Sequence, residues 1–468
     1  MTLAKQTLST IQNASVDQVD FVSYWEMSPE ERRERLENII QQSHSWHYQR
    51  NSAYRRILSA RGVGQEVSPS DFDLVLRPTA QTFKSYIDLL ETPFPQDKPY
   101  EFLHWLADQL SIEIPRNRFV RFKERYVSLE ALLKDFETQY CDFGLEVSTS
   151  SGTSGRSTIM LRDQKSIDLT VESFYLCFQR YFGMRADHRA IFIMPQHTRI
   201  AMARMAEFSI LRVGLGEERV HYTIPFPAEP DQVRIRGGMT FQSGWRGWIE
   251  RQILHPFMNL MNDHIVMPRA VDETIRLLEK CQASQEKVLV FGSWIQLHQV
   301  ALKLKQRGQI MQLTPGSLFG SGGGFKERYP YTISQIQEDI RKSVQLSDGS
   351  LLPMGDVYGM AEGNWAAMQC SCGNYHIPPW VYAVTLDEND EFQIASDATG
   401  ILAFFDPIGG SDLFPAFYKT ADQVRLINGT LCFNPQINCP CGENSAYIKK
   451  NSIQRVDLIG EAGCAAQI

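Results

Sequence analysis

Apolar residues recur along this chain in two different spacings. Short unbroken runs, Ala190-Ile-Phe-Ile-Met194, Lys287-Val-Leu-Val-Phe291 and Ser317-Leu-Phe319, alternate with stretches where apolar positions return every three or four residues, over Ser166–Phe182, Ala270–Lys280 and Trp294–Arg307. The first kind predicts buried strands and the second amphipathic helices. Strands apolar on both faces and separated by helices predict an α/β fold built on a mainly parallel sheet covered on both sides. Ligands of such sheets gather at the carboxyl ends of the strands. A further short strand is expected at Phe143-Gly-Leu-Glu-Val147.

The first third of the chain reads differently. Ser28-Pro-Glu-Glu31 predicts a helix start, with Ser28 as cap and acids at the positive end of the dipole. Leu36, Ile39 and Ile40 then form an apolar stripe that Tyr54, Ile57 and Leu58 continue in the next helical stretch. Residues 65–140 read as mixed and mostly helical, with Pro78–Lys84 as a turn that lines a pocket. The expected organisation is a mostly helical part over 1–140 packed on the core, an α/β core over 141–455, and a short tail over 456–468.

Between the strand expected at 143–147 and the helix beginning near Gln164 stands Ser148-Thr-Ser-Ser-Gly-Thr-Ser-Gly-Arg-Ser-Thr158. Hydroxyls, two glycines and the Arg156 guanidinium can turn several donors toward one anion, and the glycines permit close approach. A triphosphate suits that composition; a Ser/Gly linker is the competing explanation. No Gly-Lys-Ser/Thr closes the run, so it is not a Walker loop.

The net charge of −7 is spread over 468 residues without a basic block, which argues against nucleic acid as a partner. No secretory leader opens the chain and no apolar run is long enough to span a bilayer, so a cytoplasmic protein without membrane insertion is expected. The cysteines number nine, five of them between Cys370 and Cys441. That clustering and odd count suit a reducing compartment and a metal site better than a disulfide framework. Cys370-Ser-Cys372-Gly-Asn-Tyr-His376 and Cys439-Pro-Cys441-Gly442 can together close a tetrahedral zinc site.

The order Ser150-Ser151-Gly152-Thr153-Ser154-Gly155-Arg156 resembles the phosphate-binding loop of the adenylate-forming enzymes, with Ser154 and Arg156 at positions usually Thr and Lys. Three further segments follow in that superfamily's order. Ser321-Gly322-Gly323-Gly324-Phe325-Lys326 resembles a segment of the bacterial bioluminescence acyl-protein synthetases, where three glycines would let adenine lie against backbone. Val357-Tyr358-Gly359-Met360-Ala361-Glu362 resembles the Tyr-Gly-x-Thr-Glu motif; by that resemblance Tyr358 flanks adenine and Glu362 holds magnesium. Thr420-Ala421-Asp422 resembles the Thr-Gly-Asp motif whose aspartate accepts both ribose hydroxyls.

The resemblance implies the large N-terminal domain of the adenylate-forming fold, with ATP and Mg²⁺ used to activate a small carboxylic acid. Arg156, Lys326 and Glu362 would serve the reacting phosphates. Phenylacetate–CoA ligase-like proteins share a Cys, His, Cys-Pro-Cys-Gly set, which favours Cys370, His376, Cys439 and Cys441 as ligands of a structural zinc, with Cys372 as substitute. Ser452-Ile-Gln-Arg455-Val-Asp457 resembles the hinge after which family members carry a small lysine-bearing domain. That domain is expected to be absent here. The tail Gly460-Glu-Ala-Gly-Cys464-Ala resembles the acyl-protein synthetase terminus whose cysteine accepts the acyl group.

Three readings follow. The first is an acyl-protein-synthetase-like ligase that transfers to Cys464 or to the thiol of a carrier protein. The second is a ligase that passes the acyl group to coenzyme A or an amine. The third is a catalytically weak nucleotide-binding protein, prompted by the absent lysine domain and by Ala361 and Ala421. The identity of the acid is not legible; Trp294, Trp365 and Trp380 lie near the candidate loops, and His197, just past Met194-Pro195, is a further candidate to face the substrate. The partner expectation leaves room for a homodimer.

Overall fold

The computed structural model describes residues 19–150, 157–240, 242–323 and 329–456. Its strands are β1 (Arg77–Pro78), β2 (Glu146–Thr149), β3 (Ile159–Arg162), β4 (His188–His197), β5 (Val220–Ala228) and β6 (Lys287–Gly292). They continue as β7 (Met311–Leu313), β8 (Leu318–Gly322), β9 (Val344–Leu346), β10 (Met354–Gly359), β11 (Ala366–Gln369) and β12 (Tyr375–His376). The last are β13 (Tyr382–Leu386), β14 (Asp397–Phe405), β15 (Phe417–Ile427), β16 (Tyr447–Ile448) and β17 (Gln454–Arg455).

Thirteen strands form one sheet, with the order β13-β14-β15-β16-β12-β11-β10-β8-β6-β4-β5 and with β1 and β17 paired onto β15. The block β10-β8-β6-β4-β5 is parallel. It is built from the apolar runs that the periodicity marks out. Along β4, Ala190 and Phe192 join one core cluster with Phe174 and Phe178, while Ile191 and Ile193 join the other with Leu278 and Leu297. A strand whose alternate side chains enter two cores has a helix layer on each face, and its sequence reads as continuously apolar for that reason.

From β10 onward the sheet continues antiparallel through β11, β12, β16, β15, β14 and β13. The helices start where side chains can satisfy the first free N–H groups. Ser28 with Glu31, Asp163 with Ser166 and Ser293 with Gln296 each form a reciprocal capping box. Leu36, Ile40, Tyr54 and Leu58 are buried as the stripe predicts, whereas Ile57 is exposed.

The strand expected over 143–147 starts later, at Glu146, because Cys141–Phe143 forms a 3-10 turn that ends at Gly144 with φ +60°. The β4 run extends past Met194 to His197. Pro78–Lys84 is the end of β1 followed by the short helix Thr79–Phe83, with Phe83 buried against Tyr418 and Phe414. Trp294, Trp365 and Trp380 are all buried. Among the described residues no helix is long and apolar enough to cross a membrane.

Candidate functional site

The antiparallel pair β2–β3 carries the hydroxyl-rich run at its turn. Its base is closed by Ser150, whose N–H donates to the Thr158 carbonyl at 3.0 Å and whose Oγ accepts from the Thr158 N–H at 2.9 Å. Ser151, Gly152, Thr153, Ser154, Gly155 and Arg156 lie outside the described residues. Thr158 itself is fully buried, and its hydroxyl donates to Glu362 Oε1. The last hydroxyl of the run therefore meets the acid of Tyr358–Glu362.

Glu362 sits in a loop just past the carboxyl end of β10, and it is 6% exposed. Its position is set from below by Arg162 at the end of β3. The Arg162 guanidinium donates to the Ala361 carbonyl at 2.8 Å, to the Gly363 carbonyl at 3.4 Å and to Asn364 Oδ1. Burial pushes the Arg162 pKa down to about 10, partly opposed by the Asp406 carboxylate. Asp406, also fully buried, accepts from the Gly409 N–H at 2.9 Å, and burial raises its pKa. Thr158, Arg162, Asn364 and Asp406 are site residues that sequence reasoning missed. Arg162 carried a signal: it is the only ion closing the apolar run Ile159-Met-Leu.

Tyr358 and Asp422, far apart in sequence, are hydrogen-bonded: the phenol donates to Asp422 Oδ2 at 2.8 Å. Burial first, and then Asp422, keep the Tyr358 hydroxyl protonated by raising its pKa well above 10. Asp422 is oriented by its own motif, because its N–H donates to Thr420 Oγ1 at 3.0 Å, which in turn donates to the Leu402 carbonyl. On the other side Arg455 lies opposite Asp422 in the β15–β17 register, with Nε 3.9 Å from Oδ1. Buried Asp356, two residues before Tyr358, accepts from Tyr375 at 2.8 Å and was also missed.

Gly322 ends β8 beside β10, opposite Val357, and Gly323 follows with φ +96°, a conformation that favours glycine. A Cβ at Gly322 would approach Phe291 Cζ to 3.2 Å. Gly324 and Lys326 lie outside the described residues. Gly359 pairs with Ala366, and a Cβ there would come within 2.4 Å of the Met202 methyl. Met360 packs half-buried against the core. His197 ends β4 with 4% exposure, and neither ring nitrogen has a hydrogen-bond partner among the described residues. Burial, then Arg236, lower its pKa to about 4.

The second constellation is closed. The ligand atoms of Cys370, His376, Cys439 and Cys441 all lie within 4.8 Å of one another. Cys370 Sγ is 3.7 Å from Cys439 Sγ, far beyond the ~2.05 Å of a disulfide. Cys441 Sγ is 3.3 Å from His376 Nε2, while His376 Nδ1 is hydrogen-bonded to Ser445 Oγ at 2.9 Å. That second bond aims Nε2 at the thiols. Asn374 donates to Cys439 Sγ at 3.3 Å. Cys372 is not among the four, and Cys464 lies outside the described residues.

Residues 257–468 match the family model of the acyl-protein synthetases, LuxE. Over those residues the chain is similar to the acyl-protein synthetases. The fold is similar to that of a 2-hydroxyisobutyryl-CoA ligase whose structure is in complex with 2-HIB-AMP and CoA. In the open conformation of that ligase the TM-score is 0.53 at 13% identity, over 94% of this chain and 74% of that one. In its thioesterification state the values are 0.54 and 13%, over 92% and 70%. No curated protein sequence is similar enough to match.

Proposed function

We propose that this protein activates a small carboxylic acid with Mg·ATP and transfers the acyl group to a thiol. A carboxylate oxygen attacks the α-phosphorus, the bond to the β-phosphate oxygen breaks, and acyl-adenylate and pyrophosphate result. The thiolate then attacks the acyl carbon and AMP leaves. The observation that carries the reading is the convergence of Tyr358 and Glu362, at the carboxyl end of β10, with Asp422 in the middle of β15, Glu362 being close enough to act on the Tyr358 phenol.

Each residue has a task in that reaction. Asp422, fixed by Thr420 and Tyr358, accepts the two ribose hydroxyls, and Arg455 opposite balances its charge. Tyr358 and Gly322–Gly324 flank the adenine. Glu362 holds the magnesium ion with its oxygen ligands, and a carboxylate suits that hard cation. The loop Ser150–Arg156 and Lys326 neutralise the phosphates as negative charge shifts to the leaving group.

Cys370, His376, Cys439 and Cys441 suit a structural zinc. A Zn–S bond of about 2.3 Å in a tetrahedron implies S···S edges of about 3.8 Å, and the Cys370–Cys439 separation is 3.7 Å. With four protein ligands such an ion braces the loops and leaves no open position for chemistry. The setting is cytoplasmic, where thiols remain reduced.

ATP–pyrophosphate exchange with a panel of carboxylic acids tests the first half-reaction; exchange with none of them removes it. The acceptor is Cys464 or the thiol of a carrier protein. Wild type with acid and ATP gains a hydroxylamine-labile acyl mass that Cys464→Ser lacks. An adduct that persists in the variant, or acyl transfer to coenzyme A alone, assigns the second step to the coenzyme A ligases.

A further inference from the structure

The two constellations meet at β12. The strand has only two residues, Tyr375 and His376, and Asn374 leads into it. Alternate side chains along extended backbone share a face, and neighbours take opposite ones. Asn374 and His376 both turn to the thiols: Asn374 Nδ2 donates to Cys439 Sγ at 3.3 Å, and His376 Nε2 stands 3.3 Å from Cys441 Sγ. Tyr375, between them, leaves in another direction, and its hydroxyl donates to Asp356 Oδ2 at 2.8 Å. Tyr375 and Asp356 are both buried.

Asp356 belongs to the frame of the other constellation. It lies on β10 two residues before Tyr358, with Ser321 of the glycine segment as its register partner on β8. The ring of Tyr375 also meets the ring of Tyr358 edge to face, with centroids 6.5 Å apart and an interplanar angle of 70°. Tyr358 in turn donates to Asp422. One side chain therefore touches both Tyr358 and the strand that carries it, while the residues on either side of it in sequence face the thiol cluster. A buried carboxylate is costly without its donors, so Asp356 holds the phenol in place. The turn that feeds β12 leaves it little slack. The Cys370 N–H donates to the Asn374 carbonyl at 2.9 Å and the Gly373 N–H to the Cys370 carbonyl at 2.8 Å, with Gly373 at φ +84°.

Resting on the zinc and nucleotide assignments above, we propose that Tyr375 is a positioning residue that couples the two sites: metal held by Cys370, His376, Cys439 and Cys441 tightens nucleotide binding at Tyr358 and Asp422. Coupling between two binding equilibria is reciprocal. Nucleotide therefore tightens the metal by the same factor as the metal tightens the nucleotide, which a brace alone would not do.

Equilibrium competition for zinc between the full chain and a chromogenic chelator, with and without saturating AMP, reads that factor. AMP carries the adenine and ribose without the chelating triphosphate. In wild type, AMP is expected to raise the affinity for zinc about fivefold. Tyr375→Phe is expected to keep its zinc in the absence of AMP, by elemental analysis, and its far-UV circular dichroism, but to lose the AMP effect. Calorimetry of the zinc-loaded variant should show AMP bound about fivefold more weakly than in wild type. A wild type whose zinc affinity AMP leaves unchanged overturns the coupling, and an AMP effect of equal size in Tyr375→Phe overturns the role of Tyr375. A variant that loses zinc even without AMP makes Tyr375 a structural part of the cluster and overturns the proposal as well. Wild type that carries no zinc, or that binds no AMP in calorimetry, removes the site assignment concerned and the coupling with it.

Discussion

The protein holds two clusters of ligand-type side chains joined by the short strand β11, and they are built on opposite plans. At one end, Glu362 and Asp422 are oriented carboxylates, each held by a hydroxyl donor, the first just past the carboxyl end of β10 and the second in the middle of β15. At the other, Cys370, His376, Cys439 and Cys441 point at one another and present four ligand atoms to a single point. A hard, open arrangement can take on and release a substrate with its cation, whereas a soft, closed one has nothing left to offer a substrate. The contrast teaches that burial and fixed geometry do not by themselves mark chemistry. The number of unfilled positions does.

This contrast can be broken by substitution, and the largest effect is expected beneath the open site. Arg162→Met leaves Asp406 buried without its cation and is expected to cost about 3–5 kcal/mol of stability, read from urea denaturation. The magnesium concentration for half-maximal exchange should rise as well, because the 361–364 loop loses three hydrogen bonds. Unchanged values for both would detach Arg162 from the site.

Glu362→Gln comes next. Exchange is expected to fall about a hundredfold to a thousandfold while the melting temperature stays near that of wild type. Cys439→Ser is expected to do the reverse: loss of bound zinc by elemental analysis and a melting temperature lower by about 5 °C or more, with exchange per folded molecule reduced only a few-fold. If Cys439→Ser abolishes exchange in fully folded protein, the closed site is not merely a brace.

Acid acts away from both clusters. Burial holds His47 neutral with a pKa lowered to about 3, and His197 with a pKa lowered to about 4. In each case the unfolded chain takes up a proton, near pH 6.5, that the folded chain refuses. Stability is therefore unaffected above that value and falls as the pH drops from about 6.5 toward 4, by about 2 kcal/mol per imidazole at pH 5. His47→Asn should flatten the acid limb of a urea-midpoint profile. The smallest effect is expected for Tyr358→Phe, which removes one hydrogen bond to Asp422 and should raise the KM for ATP by a factor corresponding to about 1 kcal/mol.

The parallel half of the sheet was legible because β4, β6 and β8 are apolar on both faces and the helices between them keep a strict period. The antiparallel half was not, because β12, β16 and β17 have two residues each and β11 has four, too few to carry any period. Tyr358, Glu362 and Asp422 were legible as motif residues in sequence order, and the thiol–imidazole set as two short clusters. Asp406 was hidden, and Arg162, though it stands out as the one charge closing an apolar run, gives no hint of its partners two hundred residues away.

The strand β15 has a consequence for the order in which this protein becomes complete. One side is lined by β14 alone, with a register shift between Ile401 and Ala403, but the other is shared by three fragments from distant parts of the chain. They are β1 at Tyr418–Lys419, β17 at Asp422–Gln423 and β16 at Leu426–Ile427. Closing such long loops is slow compared with forming local structure. The middle of the chain can thus fold around β14 and β15 before an early segment, β1, and late ones, β16 and β17, complete the other edge of β15. The carboxylate proposed to take the ribose lies on that edge beside β17, so its setting depends on a segment about thirty residues further along the chain.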